Sequence, residues 1–554
     1  MQQTTALPYI KSTQITCMSF IVGMLVVLSG CHIDDSGGNI FYDVNRTPGV
    51  TSVDPANGAI GVEKNAVVSA TFSAGIDTAT INDTSFTLGD SAGFSVNGVV
   101  NFDTATNIAT FTPSMNLGVH RTYTATLSAG ITHSGGTPIT PMNWSFKTID
   151  GVWGTAETIE TDFAATSNPR IALGGNGDAI AIWISGTDVY ANKHTAASGT
   201  WGTEQVISSQ NFAKSDPQVA MDSSGNAIAV WSGVQGGNTN IRAAYYNNAT
   251  LSWGTPTAIN VSGGVANNSQ VAFDASGNAI VVWLQQNNIY FNRYASSAWE
   301  GPQLIESGTG IAYAPQLGVY ANGDAIAVWA QYDAMAGYNV VYANYYTAGI
   351  GWSGEASIGN SANGYIPQVA VDNDGNAIAV WIEDAAASTY SIWAAHYDAL
   401  TTNWGSLTEL ENDVHISTKP QIGVDAQGNG IAIWRTAPTT GVDRLRYKLY
   451  TNAGWGTADI LDDGTSDSFE PQLAMDVAGN AIVVWRQATN TYYNSMWANR
   501  YQFGNGWGAA ELLELDDTSS ISSPEVAVDT NGNAFATWIQ SDGSVDSTWV
   551  SRFE

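Results

Sequence analysis

One phrase returns again and again in this chain. PQVAMDSSGNAIAVW runs from Pro217 to Trp231, PQVAVDNDGNAIAVW from Pro367 to Trp381, and PQLAMDVAGNAIVVW from Pro471 to Trp485. Its closing tryptophan stands at Trp183, Trp231, Trp283, Trp329, Trp381, Trp434, Trp485 and Trp538, spaced 46 to 53 residues apart. A second series places Trp one or two residues before Gly, at Trp153, Trp201, Trp253, Trp299, Trp352, Trp404, Trp455 and Trp507. A period of this size, made of several short strands, belongs to a propeller or a solenoid.

The phase of the two series chooses between them. A Trp-Gly segment, VWGTAETIE, precedes the first hairpin, whereas the last repeat stops at STWVSRFE before any Trp-Gly segment of its own. The first strand supplies what the last repeat lacks, and pairing the two closes a ring with no exposed sheet edge. A solenoid would need a cap at each end. Residues 151–554 are therefore expected to form an eight-bladed β-propeller. Within a unit, strand a is PQVAMD, strand b GNAIAVW, strand c NIRAAYY and strand d WGTPTAIN. Strand b is nearly continuously apolar, as a strand covered on both faces should be.

The Asp-x-x-Gly-Asn between strands a and b has two readings. Asp first and Gly fourth suits a type I turn in which the carboxylate caps the turn's own amides. Asp222, Asp274, Asp372, Asp425, Asp476 and Asp529 occupy that place, while Gly174 and Tyr320 replace it in the first and fourth units, where NGDA stands for GNA. The other reading is calcium ligation, best supported at Asp372 and Asp374 in DNDGN. Calcium loops need more alternating carboxylates than DSSGN, DASGN or DVAGN provide. The structural turn is the expectation, and no cofactor other than calcium is suggested.

Composition narrows the function. The net charge of −31 comes from 49 acidic against 18 basic residues, which repels phosphate backbones and argues against nucleic acid. Charged residues are only 12% of the chain, with abundant Gly, Trp and Tyr, as short strands and tight turns require. Both cysteines, Cys17 and Cys31, precede the repeats, so the rest of the chain holds no disulfide or thiolate metal site.

Lys11 precedes the apolar run MSFIVGMLVVLSGC, Met18 to Cys31, too short for a span and suited to a signal segment. Leu28-Ser29-Gly30-Cys31 resembles a bacterial lipobox. That resemblance implies a lipoprotein signal over 1–31 with lipidation at Cys31, and His32 after it fits sorting to the outer membrane. Diacylation plus an acyl amide gives stable anchoring. Residues 32–46 read as a linker.

Residues 47–149 alternate in runs such as VVSATF, IATFTP and TYTATLS, the pattern of a small antiparallel sandwich. PANGAIGV at Pro55 to Val62, FSAGID at Phe72 to Asp77, FTP at Phe111 to Pro113, YTATL at Tyr123 to Leu127 and WSFKT at Trp144 to Thr148 resemble the bacterial Ig-like domain of the SbsA type. The resemblance implies a spacer or stalk on a secreted surface protein. The whole chain is thus read as all-β: an Ig-like β-sandwich followed by an eight-bladed β-propeller closed by an N-terminal strand that completes the last blade.

In outline the propeller resembles secreted sialidase-like and lectin-like propellers, which makes catalysis a question. A sialidase needs an arginine triad, a tyrosine nucleophile and acid/base carboxylates. Arg242, Arg293, Arg500 and Arg552 fall in strand c and read as repeat-linked surface residues. The repeat also departs from the sialidase Asp box in spacing. Glu383, Asp384, Asp413 and His415 form no recognisable dyad, and His194, His396 and His415 lack metal-ligand spacing. Aromatics that break the repeat between strands b and c, namely Tyr332, Tyr338, Tyr390, Tyr492 and Tyr493, are the ligand-binding candidates. The expectation is an envelope lipoprotein, periplasmic or surface-exposed, whose non-catalytic propeller binds a surface glycan or envelope protein. A polysaccharide-active glycosidase or lyase with a dispersed site is the alternative, and a purely structural envelope part is the third.

Overall fold

The computed structural model describes residues 49–554, apart from 74, 162–163, 209–211, 360–361, 387–388, 412–414, 490–492 and 515–518. The signal segment, Cys31, the linker, Asp413 and Tyr492 lie outside the described residues.

The first domain is a sandwich of two four-stranded sheets. One orders Val50–Asp54, Val68–Phe72, Ile108–Pro113 and Gly98–Asp103; the other orders Ala59–Val62, Met142–Thr148, Thr122–Leu127 and Phe86–Asp90. Period-two alternation turns Phe86, Phe111, Trp144 and Phe146 inward, each at most 2% exposed, and this packed aromatic cluster is the core.

Eight blades follow. Strand a spans Thr166–Leu173, Lys214–Met221, Ala266–Phe273, Ala312–Val319, Gly364–Val371, Ile416–Val424, Ser468–Met475 and Ser522–Val528 in blades 1 to 8. Each packs against the a strands on both sides, and blade 1 packs against blade 8. The ring is closed. Its seam is the expected one: Glu157–Thr158 pairs antiparallel with the last strand, Asp546–Phe553, and Trp153 bridges Phe553. Strand d is shorter than the sequence suggests. It is two fragments, such as Ser252–Trp253 and Thr257–Ala258, that pair separately with strand c.

Strand b is buried along nearly its whole length, and the eight tryptophans that end its apolar run are 0–1% exposed. Burying an indole requires a partner for its N–H. The residue two positions on commonly supplies one: Trp329 Nε1 donates to Gln331 at 2.9 Å, Trp381 to Glu383 at 2.9 Å and Trp485 to Gln487 at 2.8 Å. These indoles are out of reach of any ligand.

The recurring a–b turn holds the ring together on one face. Asp222 Oδ1 accepts from Ser224 N at 2.9 Å and Asn226 N at 2.8 Å, and Oδ2 accepts from Asn226 Nδ2 at 2.8 Å. Asn226 Oδ1 then accepts from Asn248 N in the c–d turn at 3.0 Å, stapling two hairpins of one blade. In blades 1 and 4 Asp178 and Asp324 take over this staple, accepting from Ala196 N and Ala348 N. Neighbouring blades interlock as well. A Cβ on Gly277 would lie 3.3 Å from Asp222 Oδ2, and one on Gly428 3.0 Å from Asp372 Oδ2. The turn glycine therefore provides both positive φ and room for the preceding blade's carboxylate.

The Ig-like domain, expected as a spacer, is seated on this same face, within one compact unit spanning Pro48–Glu554. Val119 is fully buried among Ile482, Val484 and Ala534 of blades 7 and 8, and its N–H donates to Asn531 O at 2.8 Å. Arg121, 3% exposed, reaches Asp90 of its own domain at 3.1 Å and the turn carboxylate Asp476 at 3.5 Å. Arg500 pairs with Asp150 at 3.0 Å and lies over Phe553, 4.6 Å from its centroid. Its side chain is only 11% exposed, so Arg500 is not the surface residue its place in strand c suggests. It fills the junction between the domains.

Candidate binding face

The b–c hairpins and d–a connections make the other face of the ring, and strand a opens there with an unusual conformation. Asn168, Asp216, Asn268, Ala314, Ile366, Lys419, Glu470 and Ser523, one per blade, have φ between 49° and 55°. Non-glycine residues seldom enter this left-handed region, and eight at one structural position mark a built feature. The next residue is proline in every blade except the third, where Ser269 stands and Asn268 keeps the same conformation. Proline disfavours the right-handed helical region for its predecessor and brings no N–H to the ladder. The a–b register shifts at this point in all eight blades, for example between Ser215 and Gln218, a bulge that turns the chain at the inner edge.

Directly after this position come Gln218, Gln270, Gln316, Gln368, Gln421 and Gln472, with Arg170 and Glu525 at the same place in blades 1 and 8. Arg170 Nη1 meets Glu525 Oε1 at 2.6 Å across the ring's seam and also donates to Pro169 O at 2.9 Å. Burial pushes the Glu525 carboxyl up, and Arg170 partly offsets it. A cavity of about 250 Å³ is lined from blades 1, 5, 6, 7 and 8 by these residues, including Asn168, Gln368, Lys419, Gln421, Glu470 and Gln472. Contributions from blades on opposite sides of the ring place it on the axis. Glutamine amides both donate and accept, the pattern that matches hydroxyls. The lining includes neither tyrosine nor histidine.

Around this mouth the ring loses its symmetry. The residue two before the proline is Ser167, Ser215, Asn267 and Ser522 in blades 1, 2, 3 and 8, but Tyr313, Tyr365 and Phe469 in blades 4, 5 and 7. Its cross-strand partner is Arg435 in blade 6 and Arg486 in blade 7. Arg435 pairs with Asp443 and Arg486 with Glu470 at 3.6 Å. Both guanidiniums lie over Phe469, at 5.0 and 5.2 Å from its centroid.

The described tyrosines among those singled out from sequence, Tyr332, Tyr338, Tyr390 and Tyr493, are on this face but are spread over three blades. Tyr390 is half-buried and meets Tyr365 edge-on at 6.5 Å between centroids, which ties it to the mouth. Tyr332, 43% exposed, pairs with Asn339, and Tyr338 pairs with Asp333, at the end of the blade 4 hairpin. Tyr493 is exposed in blade 7. Asp372 and Asp374 stand on the opposite face. Asp372 Oδ1 accepts from Asp374 N at 2.9 Å and Asn376 N at 2.8 Å, and Oδ2 from Asn376 Nδ2 at 2.7 Å. Among the described residues no group of three or more His, Cys, Asp or Glu could hold a metal. The glutamine ring, the Arg170–Glu525 pair and the two arginines on Phe469 were missed from sequence. Their signal was there: Pro-Gln recurs in five of the eight blades, and Arg435 and Arg486 replace the residue after strand b's tryptophan.

Residues 44–148 match the model of the bacterial Ig-like domain family. No curated protein matches the chain. Among solved structures, similarity extends to a PL25 ulvan polysaccharide lyase, at 11% identity and TM-score 0.44, covering 72% of this chain and 95% of that one. The Dos1 propeller is similar at 6% identity and TM-score 0.43, covering 73% and 95%. A leech intramolecular trans-sialidase is similar at 12% and 0.32, covering 88% and 93%.

Proposed function

We propose that this chain is a cell-envelope lipoprotein, anchored through Cys31, whose propeller binds a glycan without catalysis at the channel mouth on the b–c/d–a face. One observation carries the reading: a ring of glutamines opens on the axis of that face, while the opposite face is occupied by the Ig-like domain. Tyr313, Tyr365 and Tyr390 add aromatic rings beside it, the surfaces on which sugars stack, and the amides supply hydroxyl partners. An envelope protein is the other class of ligand for the same face. The test is glycan-array binding by the full chain in detergent, with calcium and with chelator. Saturable binding unchanged by chelator is expected, because the Asp372 oxygens are taken up by their own turn. Silence across the array would refute a glycan ligand.

A second reading has a specific observation in its favour. Glu470 and Glu525 line one cavity with Arg170, and burial raises Glu525, so the pair offers two carboxyls in different surroundings, as a glycosidase or lyase requires. Release of sugar ends from any polysaccharide the chain binds, abolished by Glu525→Gln, would replace the non-catalytic reading with this one.

A further inference from the structure

The acidity of this chain makes its cations informative. At the b–c/d–a end of blades 6 and 7 stand Lys419, Arg435, Arg444, Arg446 and Arg486. Two of them are directed at buried carboxylates away from the cavity: Arg444 Nε meets Asp462 at 2.8 Å, a carboxylate whose side chain is completely buried, and Arg446 meets the buried Glu411 at 3.5 Å. The other three gather near the channel mouth, Arg486 beside the lining residue Glu470 and Arg435 over the adjacent Phe469. Lys419 lines the cavity and has no carboxylate within ion-pair distance among the described residues. Arg486 lies 3.6 Å from Glu470, longer than the roughly 2.8 Å of a charge-assisted hydrogen bond, and its buried Nε has no hydrogen-bond partner. Arg435 holds Asp443 through Nε at 3.1 Å and through Nη2, and its side chain remains 27% exposed.

Two guanidiniums on a single phenyl ring repel one another. The ring's quadrupole and flanking carboxylates offset that cost in part. The arrangement gathers two planar guanidiniums around one ring, next to the cavity's lining residue Glu470, and guanidinium is the group that pairs best with a carboxylate or sulfate. No other blade has a cation at this position; Ile184, Ser232, Leu284, Ala330, Ile382 and Ile539 occupy it there.

We infer that Arg435 and Arg486, positioned by Phe469 and assisted by Lys419, hold the carboxylate or sulfate group of an acidic glycan whose sugar rings extend over the glutamine ring and the tyrosines of blades 4 and 5. This rests on the binding-face reading above and names its ligand class. Dissociation constants for the full chain in detergent would be measured with polygalacturonate, dextran sulfate, neutral dextran and poly-glutamate. One of the two acidic glycans is expected to bind more tightly than dextran and poly-glutamate, and which one identifies carboxylate or sulfate as the group held. The variant R435Q/R486Q should lose about tenfold or more of that affinity, the scale of one charge-assisted hydrogen bond, with dextran binding unchanged. Phe469→Leu keeps both charges and should weaken acidic-glycan binding by less, with the thermal unfolding midpoint checking that each variant folds.

Dextran bound as tightly as both acidic glycans would overturn the anion site and leave the binding face standing. Unchanged acidic-glycan affinity in folded R435Q/R486Q would do the same. Poly-glutamate bound equally well would overturn the glycan class in favour of an acidic protein. Silence with all four polymers would overturn the inference and remove support from the glycan reading itself.

Discussion

The two faces of the propeller are made from the same eight repeats and have diverged in opposite ways. On the a–b/c–d face, six blades carry the same Asp, every a–b turn carries its Gly, and each of those Asp carboxylates accepts the amides of its own turn. On the b–c/d–a face, the backbone keeps its eightfold bulge, but the side chains it presents change from Ser and Asn to Tyr, Phe, Lys and Glu. A repeat kept uniform by mutual contacts is structural. A repeat whose backbone is fixed and whose side chains vary is free to recognise something. The position of the Ig-like domain agrees with this division: it sits on the uniform face and leaves the variable one open.

Substitutions matched across the two faces break or sharpen that comparison. The largest effect is expected at Asp476, which caps its own turn and faces Arg121 of the other domain. Asp476→Ala leaves a buried guanidinium with one partner fewer and should cost about 3–5 kcal/mol, read as a lowered urea midpoint. Asp443→Ala, its counterpart on the open face, removes a partly exposed partner of Arg435 and should cost about 1 kcal/mol or less. Equal losses would contradict the division.

Two glycines of blade 8 repeat the contrast on a smaller scale. A Cβ on Gly532, at φ 80°, would lie 2.8 Å from Val119 Cγ2 and 2.9 Å from Asp476 Oδ2, whereas one on Gly543, at φ 96°, meets nothing within 4 Å. Gly543→Ala should cost only the backbone strain, about 1 kcal/mol. Gly532→Ala adds overpacking and should cost about 1–3 kcal/mol more. Denaturant unfolding of the pair checks this, with domain separation of Gly532→Ala visible as a second transition.

The smallest expected effect is a pH dependence at the ring's seam. Burial, with the nearby charge of Glu204, pushes Glu160 up to about 7, against the opposing hydrogen bond from Thr548 N. A carboxyl raised on folding keeps its proton where the unfolded chain has released it. Stability is then greatest below the ordinary carboxylate range and falls as pH rises to about 7. Glu160→Gln keeps an acceptor for Thr548 and should show a smaller fall in thermal midpoint between pH 5 and pH 8 than the parent chain. Identical pH profiles would remove Glu160 from the seam's energetics.

Much of the fold was legible because it is repeated. Eight tryptophans and the displaced Trp-Gly segment dictated blade number and closure, since each blade faces the same packing problem. The seating of the Ig-like domain was not legible, because Val119, Arg121 and Asp150 occur once and no local pattern distinguishes a docking residue from a surface one. Arg500 shows the same limit: its strand-c position is shared with Arg293 and Arg552, yet Arg500 is the one that pairs with Asp150 at the domain junction. The channel mouth was half legible. Pro-Gln recurs in five blades, but the left-handed residue before it, present even in the third blade without a proline, carries no residue-type signal of its own. Tyr390 was found because it breaks the repeat; Arg435 and Arg486 break it too, but matter only because blades 6 and 7 bring them to one ring.

The most direct test of the two-face account is amide hydrogen exchange of the full chain, with and without whichever of the tested polymers binds best. The account predicts slowed exchange in 365–368, 416–421, 435–446 and 468–472, with 222–226 and 529–533 unchanged. Slowing confined to those a–b turns would place the binding face on the wrong side of the ring and contradict the account.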